Sequence, residues 1–413
     1  MITPQIQSEP AGNSKWQTFA LFSVCALAVS VSLGAAVVGI AKLLTLIAFL
    51  GQLWRDGWPG VRNRVQQLPS VVVVIGLALL WFGLSGFWTE ADSAAASKAF
   101  FRHARIFWLV PVLYLIRSPA DALKVLFWLA AAQLFVVLAS WLMWLGVPVP
   151  FVTDRYERHL GVVFTGHLEQ PVMTTLLVVL LWHLRDTWTR AFPGLVNRTR
   201  LFLAVFLAIA NVFVIMTGRT GYLVMLVFIG MMVWTSSPKR WRAVLALTPL
   251  LVAIFFFQMS PRFHDRVLEV RDDVLNYQQG HIETSQGLRL EMWRVALQAV
   301  QDKPWFGHGV GSYSNVYVTY HGRDRNGSNN PHQQYLFWLV EFGAVGLMLL
   351  LCFFIALLRD ARYLPQGAKS ALVSTVAIAA VMSLANCPFF GVEMGEFFLV
   401  SMAGLLGTRD RIV

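Results

Sequence analysis

Charge is scarce in this chain. Of its 413 residues only 13% are charged, and acidic side chains are outnumbered 22 to 33 by lysine and arginine. Soluble chains carry about 25% charged residues, so most of this one cannot be a solvated globular domain. Cysteine is nearly absent. Cys25, Cys352 and Cys387 all sit in apolar runs, which excludes a framework of disulfides. Also missing are a Gly-x-x-x-x-Gly-Lys-Ser/Thr phosphate loop, a His-Glu-x-x-His helix and any Cys-x-x-Cys pair. The sequence thus carries neither the signature of a nucleotide-driven pump nor that of a zinc site. Asp272-Asp273 is the one adjacent acidic pair and reads as the solvated face of an amphipathic helix rather than a metal clamp.

Apolar residues supply 57% of the chain. A bilayer-spanning helix needs about 20 of them in succession. By that measure the sequence predicts twelve spans, near 17–33, 35–54, 70–88, 99–116, 121–146, 169–187, 200–217, 220–235, 241–258, 332–357, 368–386 and 394–407. The first two form one apolar block, too long for a single span, and divide at Leu33-Gly34. A cleaved signal peptide is the competing reading, with Leu33-Gly34-Ala35 as a poor cleavage site. The expected organisation is a cytoplasmic tail with nine spans over 1–258, a loop domain over 259–331, and three spans with a short tail over 332–413.

Orientation follows from the placement of lysine and arginine. With the N-terminus inside, Arg55, Arg62, Arg64, Arg117, Lys124, Arg185, Arg190, Arg198, Arg200, Lys239, Arg240, Arg242, Arg359, Arg362, Lys369, Arg409 and Arg411 all fall in cytoplasmic connections. The opposite connections carry Glu90, Asp92, Asp154, Glu157, Glu169, Glu393 and Glu396. The net charge of +11 is therefore a topology signal, and nucleic acid is not an expected partner.

One connection is long. Residues 259–331 contain Phe263, Val267, Val270 and Val274 at helical spacing, and a second helical pattern over 287–301 that stops at Pro304. The glycine-rich turn Gly307-His308-Gly309-Val310-Gly311 follows. Loops of this length in a compact protein are usually functional.

Three residues at that side of the membrane carry chemistry. Arg219 occupies the short hairpin between the seventh and eighth spans, where an ionisable side chain is a functional candidate; a snorkelling arginine is the plain alternative. Arg289 lies one helical turn before Trp293, so an arginine–indole contact is expected, against the alternative of a surface ion pair. His332 follows Asn329-Asn330-Pro331 and opens the tenth span. The field at a helix N-terminus keeps an imidazole neutral, as a general base requires, and free N–H groups there suit phosphate. An interfacial histidine is the alternative. Two arginines and a base together describe a site for a phosphorylated group at the lipid headgroup level.

With these residues in view, the chain resembles the O-antigen ligase family, within the O-antigen polymerase/ligase superfamily of bacterial inner membranes. The family's Arg-x-x-x-Leu reads Arg219-Thr220-Gly221-Tyr222-Leu223. Its longer pattern reads His332-Gln333, nine residues, Gly343, Ala344-Val345 and Gly346. Gln333 stands where many relatives carry Asn or His. The segment from Arg289 through Trp293 and Pro304 to Gly307-His308-Gly309 is similar to the family's large loop.

The resemblance implies an all-α, GT-C-like membrane fold and transfer of an O-antigen glycan from undecaprenyl pyrophosphate to lipid A–core oligosaccharide. The reaction would proceed at the periplasmic face of a Gram-negative inner membrane, with inversion and without metal, nucleotide or other cofactor. By the same resemblance His332 would be the base and Arg219 and Arg289 the pyrophosphate ligands. Trp293, Gln333, His308 and Glu341 are candidates for support. An O-antigen polymerase and a protein O-oligosaccharyltransferase remain open, since both use the same donor. A transporter or flippase of lipid-linked sugars is a different class, and few charges (Lys42, Arg102, Arg105, Glu341) fall within the expected spans to mark a path for it.

Overall fold

The computed structural model describes residues 11–149, 152, 161–281, 283–321 and 328–409. Asp154, Glu157, Arg411 and most of the N-terminal tail lie outside the described residues. All regular secondary structure among the described residues is helical.

The chain opens with α1 (Ala11–Ser30) and α2 (Ala35–Gln66), divided at the expected point, with Gly34 as the cap of the second helix. Next come α3 (Val71–Leu84), α4 (Ser93–His103), α5 (Leu109–Leu115) and α6 (Pro119–Trp144). The sequence predicts one helix over 99–116. Instead a 3-10 turn at Ala104–Trp108 breaks it, in the stretch where Arg102, His103 and Arg105 crowd the apolar run. After these follow α7 (Glu169–His183), α8 (Arg185–Ala191), α9 (Arg198–Val214), α10 (Arg219–Ser236), the short α11 (Arg242–Leu245) and α12 (Thr248–Met259).

The long connection then folds into α13 (Pro261–Gln278), α14 (Ser285–Asp302) and α15 (Tyr313–His321). Finally α16 (Gln334–Asp360), α17 (Gln366–Met382) and α18 (Glu393–Leu406) complete the bundle. Each of the twelve apolar segments is helical over most of its length. Among the described residues, five helices are long and apolar enough to cross a bilayer by themselves: Ala35–Gln66, Pro119–Trp144, Arg219–Ser236, Lys239–Met259 and Gln334–Tyr363. The chain is a multi-pass membrane protein.

Helices α7 and α18 form the interior. From Gln170 to Leu181 every residue of α7 is buried, against α6, α9, α10 and α17. In α18 everything from Met394 to Leu406 is buried. At the other extreme, α12 has no buried residue, although it packs on α10 and α13. Charges within the spans are satisfied internally, as a medium without water demands. Lys42 pairs with Glu396 at 2.5 Å, and His103 meets Glu341 at 2.9 Å with both side chains buried. Arg105 donates to the Phe390 carbonyl, and Arg102 lies over the Phe390 ring.

What ties the 259–331 segment to the bundle is a defect in α16. Gly343 takes φ 66°, ψ −165° inside the helix, interrupting its hydrogen-bond ladder. The freed groups find partners in the turn after α14. His308 N–H donates to Val340 O (2.8 Å), Gly309 N–H to Glu341 O (2.9 Å), and Ala344 N–H to Pro304 O (2.8 Å). The two backbones touch so closely that a Cβ on Gly343 would lie 2.2 Å from Trp305 O, and one on Gly307 would lie 2.6 Å from Glu341 C. Both positions also have positive φ, so no other residue fits. Gly307 of the 307–311 turn and Gly343 of the His332–Gly346 pattern are thus two sides of one joint.

Candidate active site

Arg219 is the first residue of α10, with Gly218 as its cap. A cation at a helix N-terminus opposes the helix dipole. Two carboxylates of α13 offset this: Arg219 Nη1 donates to Asp273 Oδ2 at 2.8 Å and Nη2 to Glu269 Oε2 at 2.7 Å. Arg266 donates to the same Glu269 oxygen at 2.7 Å. Slight burial raises the Glu269 carboxyl, but the bonds from Arg219 and Arg266 outweigh it and hold it below the ordinary range. These partners stand about fifty residues from Arg219 in sequence, and Asp273 had read as a solvated face.

Arg289 sits in the second turn of α14, a helix capped by the Thr284 hydroxyl accepting from Gly287 N–H. It is half-buried, and no carboxylate among the described residues pairs with it. Its pKa is lowered by burial first and by the nearby Arg219 second, against a smaller opposing effect of Cys387. A desolvated guanidinium without a carboxylate partner costs free energy, which makes this a candidate anion site. Arg219, Arg266 and Arg289 line one cleft of about 70 Å³ together with His167, Ser285 and Gln286.

His332 does not line that cleft, but it is near enough to Arg289, which does, for that charge to bear on it. The residue does not open α16 as expected. Gln333 is the cap, its side chain accepting from Leu336 N–H at 2.5 Å, and His332 precedes the cap at φ 49°. A non-glycine residue in that region costs on the order of 1–3 kcal/mol and persists only where its surroundings enforce it. Here they do. Its N–H donates to Asn330 Oδ1 at 2.9 Å, and the Pro331 carbonyl just before it accepts from the Trp293 indole at 2.9 Å.

Trp293 therefore holds the histidine loop. The expected arginine–indole contact is absent among the described residues, because the ring is turned to Pro331. The imidazole Nδ1 of His332 is buried and has no hydrogen-bond partner. Its pKa is lowered by burial first, then by Arg289, while a hydrogen bond with the Asn386 side chain works the other way. The neutral ring follows from these neighbours more than from the helix field.

Asn386 belongs to the link between α17 and α18, which folds over the start of α16. Gln334 N–H donates to Ser383 O at 2.9 Å and to Asn386 O at 3.2 Å. Residues on α10, α14, α16 and the α17–α18 link thus converge at one end of the bundle.

Residues 202–351 match the O-antigen ligase family. The match supports an O-antigen ligase assignment and, with it, glycosyl transfer of the ligase or polymerase type. No curated protein matches the chain. The O-antigen ligase match runs from α9 into α16, and so takes in Arg219, Arg289, Trp293, His332, Gln333, Glu341 and the Gly343 joint.

His308 and Glu341 lie in other clusters. His308 is buried with Nδ1 3.0 Å from Glu90 Oε1 and Nε2 3.0 Å from Ala299 O. Glu341 Oε2 faces His103, and its Oε1 accepts from Tyr313 N–H at 3.3 Å. The Glu341 side chain fastens α4 and the long segment to α16, while that of His308 ties the turn after α14 to Glu90, just before α4, and to α14 itself. Sequence reasoning missed Arg266, Glu269, Asp273, His167 and Asn386 as neighbours of the site. No local spacing could have found them, because they come from α13, the stretch before α7 and the α17–α18 link, well away in sequence from the residues they meet.

Proposed function

We propose that this protein transfers an O-antigen glycan from undecaprenyl pyrophosphate to a sugar hydroxyl of lipid A–core, at the periplasmic face of the inner membrane. The acceptor oxygen attacks the anomeric carbon as the bond from that carbon to the pyrophosphate oxygen breaks. The proton of the acceptor hydroxyl passes to His332, and the lipid pyrophosphate leaves with the bonding electrons, inverting the carbon. Pyrophosphate is already a good leaving group, so what it requires is neutralisation of growing negative charge by fixed donors. Arginine suits that need because its planar fork meets phosphate oxygens in pairs.

The observation that carries this reading is Arg289, a guanidinium with no carboxylate partner among the described residues, whose charge bears on both Arg219 and His332. A base with an open, buried nitrogen and an unneutralised cation beside it are the two groups the reaction needs. A general base of this kind contributes about 10²–10⁴-fold.

The test is deletion of the gene, complementation with wild type or His332→Ala, and gel analysis of the lipopolysaccharide. Ligase activity gives a restored ladder with wild type and only the lipid A–core band with His332→Ala. A core band carrying a single repeat would make the protein a polymerase instead.

A further inference from the structure

Arg219 is the cation the donor would need, yet both of its terminal nitrogens are taken, by Asp273 and Glu269. The two carboxylates come from one helix, α13, four residues apart, so they sit one turn above the other and present a pair of negative charges to one guanidinium. They differ in exposure: the Glu269 side chain is 45% exposed and the Asp273 side chain 14%, against 19% for Arg219. Both ion pairs remain wet enough to be exchanged. Arg266, sharing Glu269, and Arg289, without a carboxylate, complete the cleft.

We propose that Glu269 and Asp273 are internal competitors that set the donor specificity of the cleft. They hold Arg219 until a ligand with at least two negative phosphates takes their place, and this inference rests on the reading above that the cleft receives pyrophosphate. The physical need is plain. A site at headgroup level is surrounded by phospholipids that each carry a single phosphate, at concentrations far above any lipid-linked glycan. An uncovered trio of arginines would be filled by them. Two carboxylates on Arg219 impose a fixed cost on every anion, and a diphosphate, bridging Arg219 and Arg289 together, recovers it where a single phosphodiester does not.

The test uses the purified full chain in nanodiscs, with inorganic pyrophosphate as the probe and calorimetry as the readout. In phosphatidylcholine the double variant Glu269→Gln, Asp273→Asn should bind pyrophosphate roughly tenfold more tightly than wild type, the scale of two partly exposed ion pairs. In mixed phosphatidylcholine–phosphatidylglycerol nanodiscs that gain should disappear, because the anionic phosphodiester of phosphatidylglycerol, which unlike that of phosphatidylcholine has no cation in its own headgroup, now occupies the cleft, while wild type is unchanged by the lipid.

Glu269→Gln alone, at the more exposed position, should give a smaller gain of the same kind and serves if the double variant does not fold. Asp272→Asn is the control for bulk charge. It removes a carboxylate from the same helix, one bonded to Arg271, and should leave pyrophosphate affinity within about twofold. Unchanged or weaker pyrophosphate binding in the Glu269 variants would overturn the proposal and make both carboxylates permanent supports of Arg219. So would an equal gain in Asp272→Asn, or a gain that survives phosphatidylglycerol. If Arg289→Ala binds pyrophosphate as well as wild type does, the donor reading itself fails, whatever the carboxylates do.

Discussion

One histidine cluster lies within the long segment and another at its end, and they are built on opposite principles. At His308 both ring nitrogens lie against oxygens, Glu90 also receives Lys303, and the Glu90 backbone N–H donates to His308 O. At His332 one ring nitrogen is buried without a partner, the backbone is held at positive φ, and the neighbouring Arg289 has no carboxylate among the described residues. The first cluster is closed and lowers the free energy of the fold. The second leaves polar groups unsatisfied and carries strain, a cost that packing elsewhere must offset. Both histidines are equally prominent as sequence features, so the difference between a fastening and a reactive site is one of completion, not of residue type.

The largest effect expected from this contrast separates the two histidines. His332→Ala should lower glycan transfer by roughly 10²-fold or more while the protein remains folded and still binds donor. His308→Ala should do the reverse, lowering the yield of folded protein in detergent but keeping turnover per folded molecule. Transfer assays alongside size-exclusion profiles of both variants decide it. Similar turnover for the two would erase the distinction.

Next in size are the arginines. Arg289→Lys keeps a charge but loses the fork, and should cut transfer by about tenfold through weaker donor binding. Arg294, one turn and a half further along α14, is spent on Glu291 (2.5 and 2.9 Å), so Arg294→Lys should leave transfer near wild type. A comparison of kcat/KM for the pair checks this.

A smaller effect lies in the pH profile. The His332 pKa is lowered by burial and by Arg289, so the ring stays neutral below its ordinary value of 6.5. The acid limb of kcat/KM should therefore fall below pH 6.5 in wild type. Arg289→Ala removes a like charge, raises the histidine pKa and should move that limb upward. A limb that does not move would detach the base from the arginine.

The smallest concerns the closed side of the comparison. Hydrogen bonds from Arg294, with help from His321, hold the Glu291 carboxyl at about 2, against an ordinary value of 4.5. A depressed carboxylate stabilises the fold above its ordinary range, and that contribution is lost as pH falls from 4.5 towards 2. Hydrogen exchange over 261–321 should accelerate through that window, whereas Glu291→Gln should show higher exchange already at neutral pH and little further change.

Much of the fold is legible in the sequence because a bilayer imposes a length on its helices. Every apolar segment of about 20 residues became helix, and the division after Leu33 needed only the observation that the block was too long. The break within 99–116 was less visible, although Arg102, His103 and Arg105 stand inside that run. Of the site, Arg219, Arg289 and His332 could be nominated because an isolated arginine or histidine at a membrane surface is conspicuous by itself. Their partners could not. Nothing near Arg219 in sequence announces Glu269 and Asp273, and nothing near Arg289 announces that it lacks a carboxylate.

By itself, then, the sequence determined the helices, their apolar faces, the existence of a folded segment over 259–331 and the residue types available for chemistry. These depend on composition and on contacts within a few residues, which a one-dimensional pattern records. Only the tertiary structure decided which of those residues would be satisfied. It turned the Gly343 defect in α16 into a joint with the Gly307 turn, spent Trp293 on Pro331 instead of Arg289, and closed His308 while leaving His332 open. Those outcomes rest on distances between elements tens to hundreds of residues apart, and electrostatics and hydrogen bonding are settled by distance in space rather than along the chain.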